Sequence, residues 1–266
     1  MTQIKENQQI EIEKLKKFIK DDAGFDLDNY KDEFVKRRFL PRALSLGFMN
    51  LTDYLCFLQK NDKEREIARK KIFVTTTEFF RNREVFEALK KLIVSDYKNA
   101  NYFNVVSAPC STGEEAFTLA MVFDEVQKEC AVFGADGNFS VLKSLKKRKF
   151  TQKNLSPLYK NEIKRYFNEE GNLFSLKEDI LSRVFPVQAD LTKNFPFRGA
   201  DIVFMRNFFI YLKEKTFLKC IENVERSIKK GGLLVLGKVE RVELDKSVWE
   251  TIDLNLKIFR FVGGKK

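Results

Sequence analysis

One stretch, residues 104–136, constrains the fold more than any other. An apolar run, Val105-Val106-Ser107-Ala108, breaks into Pro109-Cys110-Ser111-Thr112-Gly113-Glu114-Glu115. A helical pattern follows over 116–128, and a second apolar run, Ala131-Val132-Phe133-Gly134-Ala135, ends on Asp136. Strand, tight turn, helix and strand in that order open a nucleotide-binding α/β sheet. Ligands of such sheets sit beyond the carboxyl ends of the strands, where residues 107–115 and Asp136 fall. A carboxylate at the end of the second strand can accept hydrogen bonds from ribose hydroxyls. The same pattern also suits an ordinary βαβ unit whose acids only cap and solvate, and on this stretch alone both readings stand.

From residue 102 onward strands and helices alternate. The pattern predicts strands over 102–108, 130–136, 184–189, 201–205 and 233–236, helices over 112–128, 138–149 and 213–229, and a closing apolar run over 254–262. Such alternation argues for a mostly parallel sheet covered on both faces. Gly231-Gly232 reads as a helix stop ahead of a strand. Polar residues follow each major strand: 107–115, 136–138, Asp190-Leu191 and Arg206-Asn207. Four such segments converging on one sheet edge outweigh any single motif. The first turn holds one glycine, Gly113, and lacks G-x-G-x-x-G, so the close backbone approach that a diphosphate needs is disfavoured. No G-x-x-x-x-G-K-[ST] occurs, which excludes a P-loop nucleotidase. An adenosine ligand without phosphates fits better, and S-adenosylmethionine is the common one.

Residues 1–74 read as helices. Ile10, Ile12, Leu15, Phe18 and Ile19 mark one apolar face, and a second helix carries Phe34, Val35, Phe39 and Leu40 until Pro41 interrupts or ends it. A third starts at Leu51-Thr52-Asp53, followed by a mixed-charge run over 60–71. Lys36-Arg37-Arg38 is a compact basic cluster, either the wet side of a helix or a grip on an acidic partner. Thr75-Thr76-Thr77-Glu78-Phe79-Phe80-Arg81 is too apolar for a flexible linker and suits a plug at a domain junction.

The 266 residues include no histidine. That excludes Ser-His-Asp and Cys-His nucleophilic catalysis, His-ligated metals and imidazole acid–base chemistry. Cys56, Cys110, Cys130 and Cys220 form no C-x-x-C pair, so neither zinc nor a disulfide framework is suggested, and no metal site is expected. Hydrophobic content of 44% with 33% charged residues belongs to a globular chain, not a disordered one. A polar N-terminus without a signal-peptide pattern, and no apolar run of membrane-spanning length, make the cytoplasm the expected compartment. The net charge of +11 invites a nucleic-acid reading. Nine Lys/Arg fall within 143–165 against one acid, Glu162, yet the aromatics available for stacking there are limited to Phe150, Tyr159 and Tyr166. A solvated face is the simpler reading, an acidic protein partner serves as well, and no nucleic-acid partner is expected.

Four segments, in order, carry a resemblance: Thr75-Thr-Thr-Glu-Phe-Phe-Arg81, Ser107-Ala-Pro-Cys-Ser-Thr-Gly-Glu-Glu115, Gly134-Ala-Asp136 and Met205-Arg-Asn-Phe-Phe-Ile-Tyr211. Together they resemble the CheR-type chemotaxis receptor methyltransferases over essentially the whole chain. The resemblance implies an α/β fold: an all-α N-terminal domain (1–74), a junction and linker helix (75–101), and a Rossmann-like S-adenosylmethionine-dependent methyltransferase sheet (102–266) with a small β insertion at 165–188. It implies methyl transfer to glutamate side chains of bacterial chemoreceptor cytoplasmic domains, with S-adenosyl-L-homocysteine as product. It places Thr75, Thr77, Arg81, Glu115, Asp136, Asp190, Leu191, Arg206 and Asn207 around the cofactor, with Arg81 and Tyr211 facing the transferred methyl and the acceptor carboxylate. Lys36, Arg37 and Arg38 become the candidate receptor contacts of a protein expected to act as a monomer, without membrane insertion.

There are departures from the family. Alanines usually stand where Pro109-Cys110 are, asparagine where Thr75 and Asp190 are, a second acid where Asn138 is, and G-H-S-E where Gly237-Lys-Val-Glu240 is. The loop Asn168-Glu-Glu-Gly-Asn172 lacks the several glycines of members that dock a receptor's C-terminal peptide, so recognition without that tether is expected. The missing histidine suits the chemistry, because a glutamate carboxylate is already ionised near neutral pH and needs no general base. Two other classes remain as alternatives. One is a regulator that keeps the nucleotide pocket only for binding, against which Arg81 and Tyr211 argue. The other is a nucleic-acid methyltransferase, which would want an N-P-P-Y or D-P-P-Y motif absent here.

Overall fold

The alternation that begins at residue 102 folds into a seven-stranded sheet, and the residues before the linker form a separate group of helices. The structure is a computed structural model that describes residues 2–73 and 77–263, with side chains from residue 7 onward except that of Ser144. The chain divides into two compact units, Met1–Val74 with Tyr211–Leu218, and Thr75–Ile210 with Lys219–Lys266.

The first unit is built from α1 (Thr2–Ala23), α2 (Asp32–Ser45), α3 (Leu51–Lys60) and α4 (Asp62–Lys71). Asn50 and Asn61 start α3 and α4 as caps: Asn50 Oδ1 accepts from Asp53 N at 2.8 Å and Asn61 Oδ1 from Glu64 N at 3.0 Å. Leu15, Ile19, Val35, Phe39, Ala43, Tyr54 and Leu58 are wholly buried between the helices. Each large apolar side chain among them contributes about 1.5–3 kcal/mol by leaving water. This burial explains a departure from the sequence reading. Pro41 does not end α2, which continues to Ser45 because Phe39 and Ala43, on either side of it, are locked into the core. One polar knot crosses this core. Glu64 accepts from Arg42 Nε at 2.9 Å and Nη2 at 2.7 Å, and from the Tyr54 hydroxyl at 2.8 Å.

Tyr211–Leu218 joins this unit through strand-like pairing: Lys31 N donates to Tyr211 O at 2.9 Å and Lys213 N to Asn29 O at 3.0 Å. The sequence-based division at residue 74 lacks this segment, because pairing between residues so far apart leaves no local periodicity.

The second unit contains α5 (Arg83–Ser95), β1 (Tyr102–Ser107), α6 (Glu114–Glu125), β2 (Glu129–Asp136), α7 (Phe139–Ser144), β3 (Phe150–Thr151), α8 (Lys160–Tyr166), β4 (Phe167–Glu170), β5 (Leu173–Leu176), α9 (Glu178–Leu181), β6 (Val184–Gln188) and β7 (Ala200–Met205). After α10 (Glu214–Glu225), which begins in the other unit, come β8 (Ile228–Leu236), β9 (Trp249–Asp253) and β10 (Ile258–Phe261). The sheet order is β6-β2-β1-β7-β8-β10-β9, parallel from β6 through β8 and antiparallel at β10 and β9. Strand order reverses at β1, whose Val105 pairs with Val132 of β2 and Ile202 of β7. A crevice at the carboxyl end of β1 is where such sheets bind ligands. The all-α unit, the mostly parallel sheet and a small separate sheet, β3-β5-β4, match the fold class read from the sequence.

Three boundaries differ from that reading. The small sheet draws β3 from before residue 165, while β6 belongs to the main sheet beside β2, so the insertion is not 165–188. Gly231 and Gly232 lie inside β8. The register jumps there, Ala200 pairing with Ile228 but Ile202 with Leu233, so the intervening β8 residues loop out around Gly231 at φ +83. A Cβ at Gly232 would stand 2.9 Å from Asp201 O. β9 was not read from the sequence and pairs only with β10.

The linker aromatics belong to the core of this unit. Phe79 packs at 5.1 Å on Phe150 and 5.6 Å on Phe167, joining it to the small sheet. Three of the nine basic residues in the run over 143–165 are ion-paired among the described residues, Arg148 on Glu114, Lys149 on Glu170 and Arg165 on Asp124. Its one acid, Glu162, takes both guanidinium arms of Arg83 at 2.7 and 2.8 Å. Among the described residues no helix is long and apolar enough to cross a membrane.

The knot at Glu64 gives a pH test. Arg42 holds the Glu64 carboxyl below its ordinary range, against the effect of burial. A lowered folded-state pKa means the stabilisation is present above the unfolded carboxylate value and is lost as pH falls through the folded one. Glu64→Gln should therefore lower Tm most at neutral pH, with the gap to the parent closing below about pH 4. Thermal melts showing a gap that is constant from neutral to acid would rule out the ion pair as its source.

Candidate active site

The site grows from the end of β1. Ser107 is wholly buried, and the turn after it is pinned from three sides: Ala108 N donates to Phe204 O at 2.9 Å, Cys110 N to Ala135 O at 2.8 Å and Ser111 N to Asp136 Oδ2 at 2.9 Å. Gly113 closes the turn at φ +95, and a Cβ there would meet Leu145 and Phe117 at 3.0 Å, so only glycine serves.

The two acids that follow have separate jobs. Glu114 is buried, accepts from Thr112 Oγ1 at 2.6 Å and pairs with Arg148 Nη2 at 2.9 Å, while Arg148 Nη1 donates to Thr112 O at 3.0 Å. Burial pushes the Glu114 carboxyl above its ordinary range, with Arg148 opposing. Glu114 therefore braces the turn. Glu115 is less buried and links two strands: its Oε1 accepts from Ser107 Oγ at 2.8 Å and its Oε2 from Arg206 Nη1 at 3.1 Å.

Arg206, at the end of β7, is the hub. Its side chain is 1% exposed. Besides Glu115 it donates through Nη2 to Arg81 O at 2.9 Å and Asn82 Oδ1 at 2.7 Å. Those bonds hold a linker of unfavourable backbone shape, since Phe80 (φ 49) and Asn82 (φ 60) both lie in the left-handed region. Phe80 N is held in turn by Thr118 Oγ1 at 3.1 Å. Between them Arg81 is half-buried, and its guanidinium makes no hydrogen bond or ion pair among the described residues.

Asp136 ends β2, buried, accepting from Ser111 N and Asn138 N, both at 2.9 Å. Burial pushes its carboxyl up, and the surrounding backbone N–H groups offset part of this. A carboxylate offers about four acceptor directions, and with the Gly137 N–H also bearing on this one, acceptor capacity is still left for a ribose hydroxyl. Asp190 is turned into its own loop, accepting from Thr192 N at 3.1 Å and Thr192 Oγ1 at 2.6 Å and pairing with Lys193 at 3.1 Å. Leu191 is buried beside it, Thr77 is half-buried, and Thr75 lies outside the described residues. Asn207 is half-buried at φ +58. Tyr211 groups with the helical unit.

Glu240 was missed by the sequence reading, which noted only the segment Gly237-Lys-Val-Glu240 after β8. It is 1% exposed; Oε1 accepts from Phe208 N and Phe209 N, each at 2.8 Å, and Oε2 from Gly237 N. It thus ties the loop after β8 to the loop carrying Asn207. Gly237 permits the approach: a Cβ there would stand 2.8 Å from Asn207 N. An acid three residues after a glycine at a strand end was the available signal.

The three residues of the basic cluster have different surroundings. Lys36 Nζ donates to Gln8 Oε1 at 3.2 Å, Arg37 is exposed, and Arg38 stacks 5.5 Å over the Phe34 ring.

Among the described residues three buried side-chain polar atoms have no partner, and two of them, Ser111 Oγ and Arg206 Nε, belong to this site. Both sit in segments expected to surround the nucleoside, and with the free acceptor directions of Asp136 they leave polar capacity that S-adenosylmethionine fits. A switch-point crevice of this kind, poor in glycine and edged by Glu115 and Asp136, defines an S-adenosylmethionine-dependent methyltransferase. The chain belongs to the CheR methyltransferase family: residues 75–258 match its SAM binding domain and residues 10–72 its all-alpha domain. It is 28% identical over 255 residues to a chemotaxis protein methyltransferase of Borreliella burgdorferi, covering 90% of each chain. To the protein of the same description in Campylobacter jejuni it is 27% identical over 241 residues, covering 88% of this chain and 89% of the other. A Listeria monocytogenes counterpart is 24% identical over 228 residues, covering 84% and 87%.

Two substitutions test this architecture. Arg206→Lys keeps the charge but loses the fork that reaches Glu115, Arg81 and Asn82 together, and should weaken S-adenosylhomocysteine binding at least about tenfold (~1.4 kcal/mol). Glu240→Gln places an amide donor against backbone donors and should weaken it similarly. Titration calorimetry on folded variants gives the answer; unchanged affinity in either would detach that residue from the cofactor site.

Proposed function

We propose that this chain methylates glutamate side chains of chemoreceptor cytoplasmic domains, working in the cytoplasm. The observation that carries the reading is the Arg81 guanidinium, half-buried and without a hydrogen-bond partner among the described residues, on a linker whose backbone is tied through Arg206 to Glu115. A half-buried cation without a partner among the described residues suits an anionic acceptor. When bound, S-adenosylmethionine supplies a methyl group on a positively charged sulfur, and its transfer to a carboxylate oxygen leaves a methyl ester and S-adenosylhomocysteine.

The protein's part is placement. Arg81 holds the acceptor carboxylate by charge-assisted hydrogen bonds, and Tyr211, whose hydroxyl also lacks a partner among the described residues, orients it. No general base is required, in keeping with a chain without histidine. Asp136 takes the ribose hydroxyls. Glu115, Thr77, Leu191 and Asn207 complete the nucleoside surroundings, with Arg206 acting through Glu115 and the linker. Asp190 contributes through its backbone, since its carboxylate is spent on its own turn. Arg37 is the most available of the three candidate receptor contacts, and Lys36 and Arg38 flank it with association that weakens as salt rises. The turn at Gly171 between β4 and β5 is short, which supports recognition without a tethering receptor tail.

Incubation with methyl-labelled S-adenosylmethionine and chemoreceptor-containing membranes should put base-labile label into receptors and none into RNA or DNA. Arg81→Ala and Tyr211→Phe should each slow the transfer at least about tenfold while S-adenosylhomocysteine still binds. Full transfer by both variants would strip them of these roles, and labelling of nucleic acid alone would overturn the reading.

A further inference from the structure

The segment that carries Tyr211 is held by the first helices of the chain. Lys31 N donates to Tyr211 O at 2.9 Å, Lys213 N donates to Asn29 O at 3.0 Å, and Tyr30 and Leu212 form an antiparallel bridge between these bonds. Thr216 Oγ1 adds a bond to Asn29 Oδ1 at 3.3 Å, and Leu212 is 1% exposed. The backbone at Tyr211 is therefore fixed by residues 29–31.

Its ring is fixed by α2. Phe34 and Tyr211 lie with centroids 5.0 Å apart and planes at 50°. Tyr30 stacks on Phe34 at 5.0 Å and 26°, Phe25 stands 5.5 Å from Tyr30, and the Arg38 guanidinium lies 5.5 Å over Phe34. Phe34 is buried, so its ring has little freedom to yield. The Tyr211 hydroxyl has no hydrogen-bond partner among the described residues, so within them this packing is what sets the position of its oxygen.

We propose that Phe34 is a positioning residue for methyl transfer, setting the ring of Tyr211 so that its hydroxyl meets the acceptor carboxylate. The inference rests on the reading that Tyr211 orients the acceptor. An aromatic side chain suits the task because it presents a rigid flat face, whereas the smaller, branched leucine leaves space in which the neighbouring ring can tilt. Displacing an orienting group by about 1 Å can cost a hundredfold in rate. On this account α2 serves the chemistry through Phe34 in addition to any receptor contact made by its basic residues.

The test is a double-mutant cycle on Phe34→Leu and Tyr211→Phe, in the full-length protein, with receptor membranes as acceptor. Phe34→Leu alone should lower kcat between about tenfold and a hundredfold. Its S-adenosylhomocysteine Kd should stay within about twofold of the parent's, because the cofactor residues lie in the other unit. In the Tyr211→Phe background, where the hydroxyl is already gone, the same substitution should cost less than about twofold. Should Phe34→Leu fail to fold by thermal melt, Phe34→Met, a flexible gap-filler of similar size, takes its place in the cycle. Equal costs in both backgrounds would overturn the inference and leave the reading of Tyr211 standing. A parent protein that labels no receptor would remove that reading and this inference with it.

Discussion

The buried guanidinium of Arg206 is the interaction on which the rest of the sheet unit depends. With its side chain 1% exposed it needs compensation on every side, and it finds Glu115 from the turn after β1 and Arg81 O and Asn82 Oδ1 from the linker. A buried pair of this kind is weak evidence for net stability, because desolvation takes back most of the Coulombic gain. Its value lies in geometry. Three segments far apart in sequence must meet at one planar fork, and none can drift without leaving a charge or a donor unpaired. The left-handed backbone at Phe80 and Asn82 is sustainable because the bonds from Arg206 and from Thr118 over-determine it.

A second buried carboxylate works by the same logic from the other direction. Glu240 offers its two oxygens to the N–H groups of Phe208, Phe209 and Gly237 and carries the loop after Arg206 with it. Burial pushes its carboxyl up, and the backbone N–H groups offset part of this. The site is thus framed by one buried guanidinium whose two terminal nitrogens meet a carboxylate and oxygens, and one buried carboxyl group that meets backbone amides.

What the sequence made legible follows from range. Local features came through: the β1 turn with its single glycine, Asp136 at a strand end, and Arg206-Asn207 after β7 all sit where alternation placed them. The difference between the two adjacent acids did not, because Glu114 and Glu115 diverge only through partners at Arg148 and Arg206. Pro41 misled because core burial of Phe39 and Ala43 outweighs one lost backbone bond, and Gly231-Gly232 because a bulge and a helix stop use the same residue type. Glu240 carried no signal beyond its spacing from Gly237. The membership of Tyr211 in the helical unit was illegible in principle, since pairing with residues 29–31 leaves no trace in either segment's periodicity.

The missing histidine gains meaning against this architecture. Titratable groups at the site are pushed by burial, yet none is placed as a proton carrier: Glu114, Asp136 and Glu240 are each held by fixed donors, and Cys110 is driven far from thiolate character by burial. Such a site is built to hold charges still. That is poor equipment for hydrolysis, where protons must move in step with bond making, and good equipment for a displacement in which nucleophile and leaving group exchange one carbon without a proton. In the proposed reaction the acceptor arrives as an anion and the departing sulfur leaves neutral, so charge is consumed as the new bond forms. Excluding water then favours the step, because the reacting charges gain more from each other than they would from solvent. The proposed hold on the acceptor carboxylate needs a cation left available, and among the described residues the network leaves the Arg81 guanidinium unpaired.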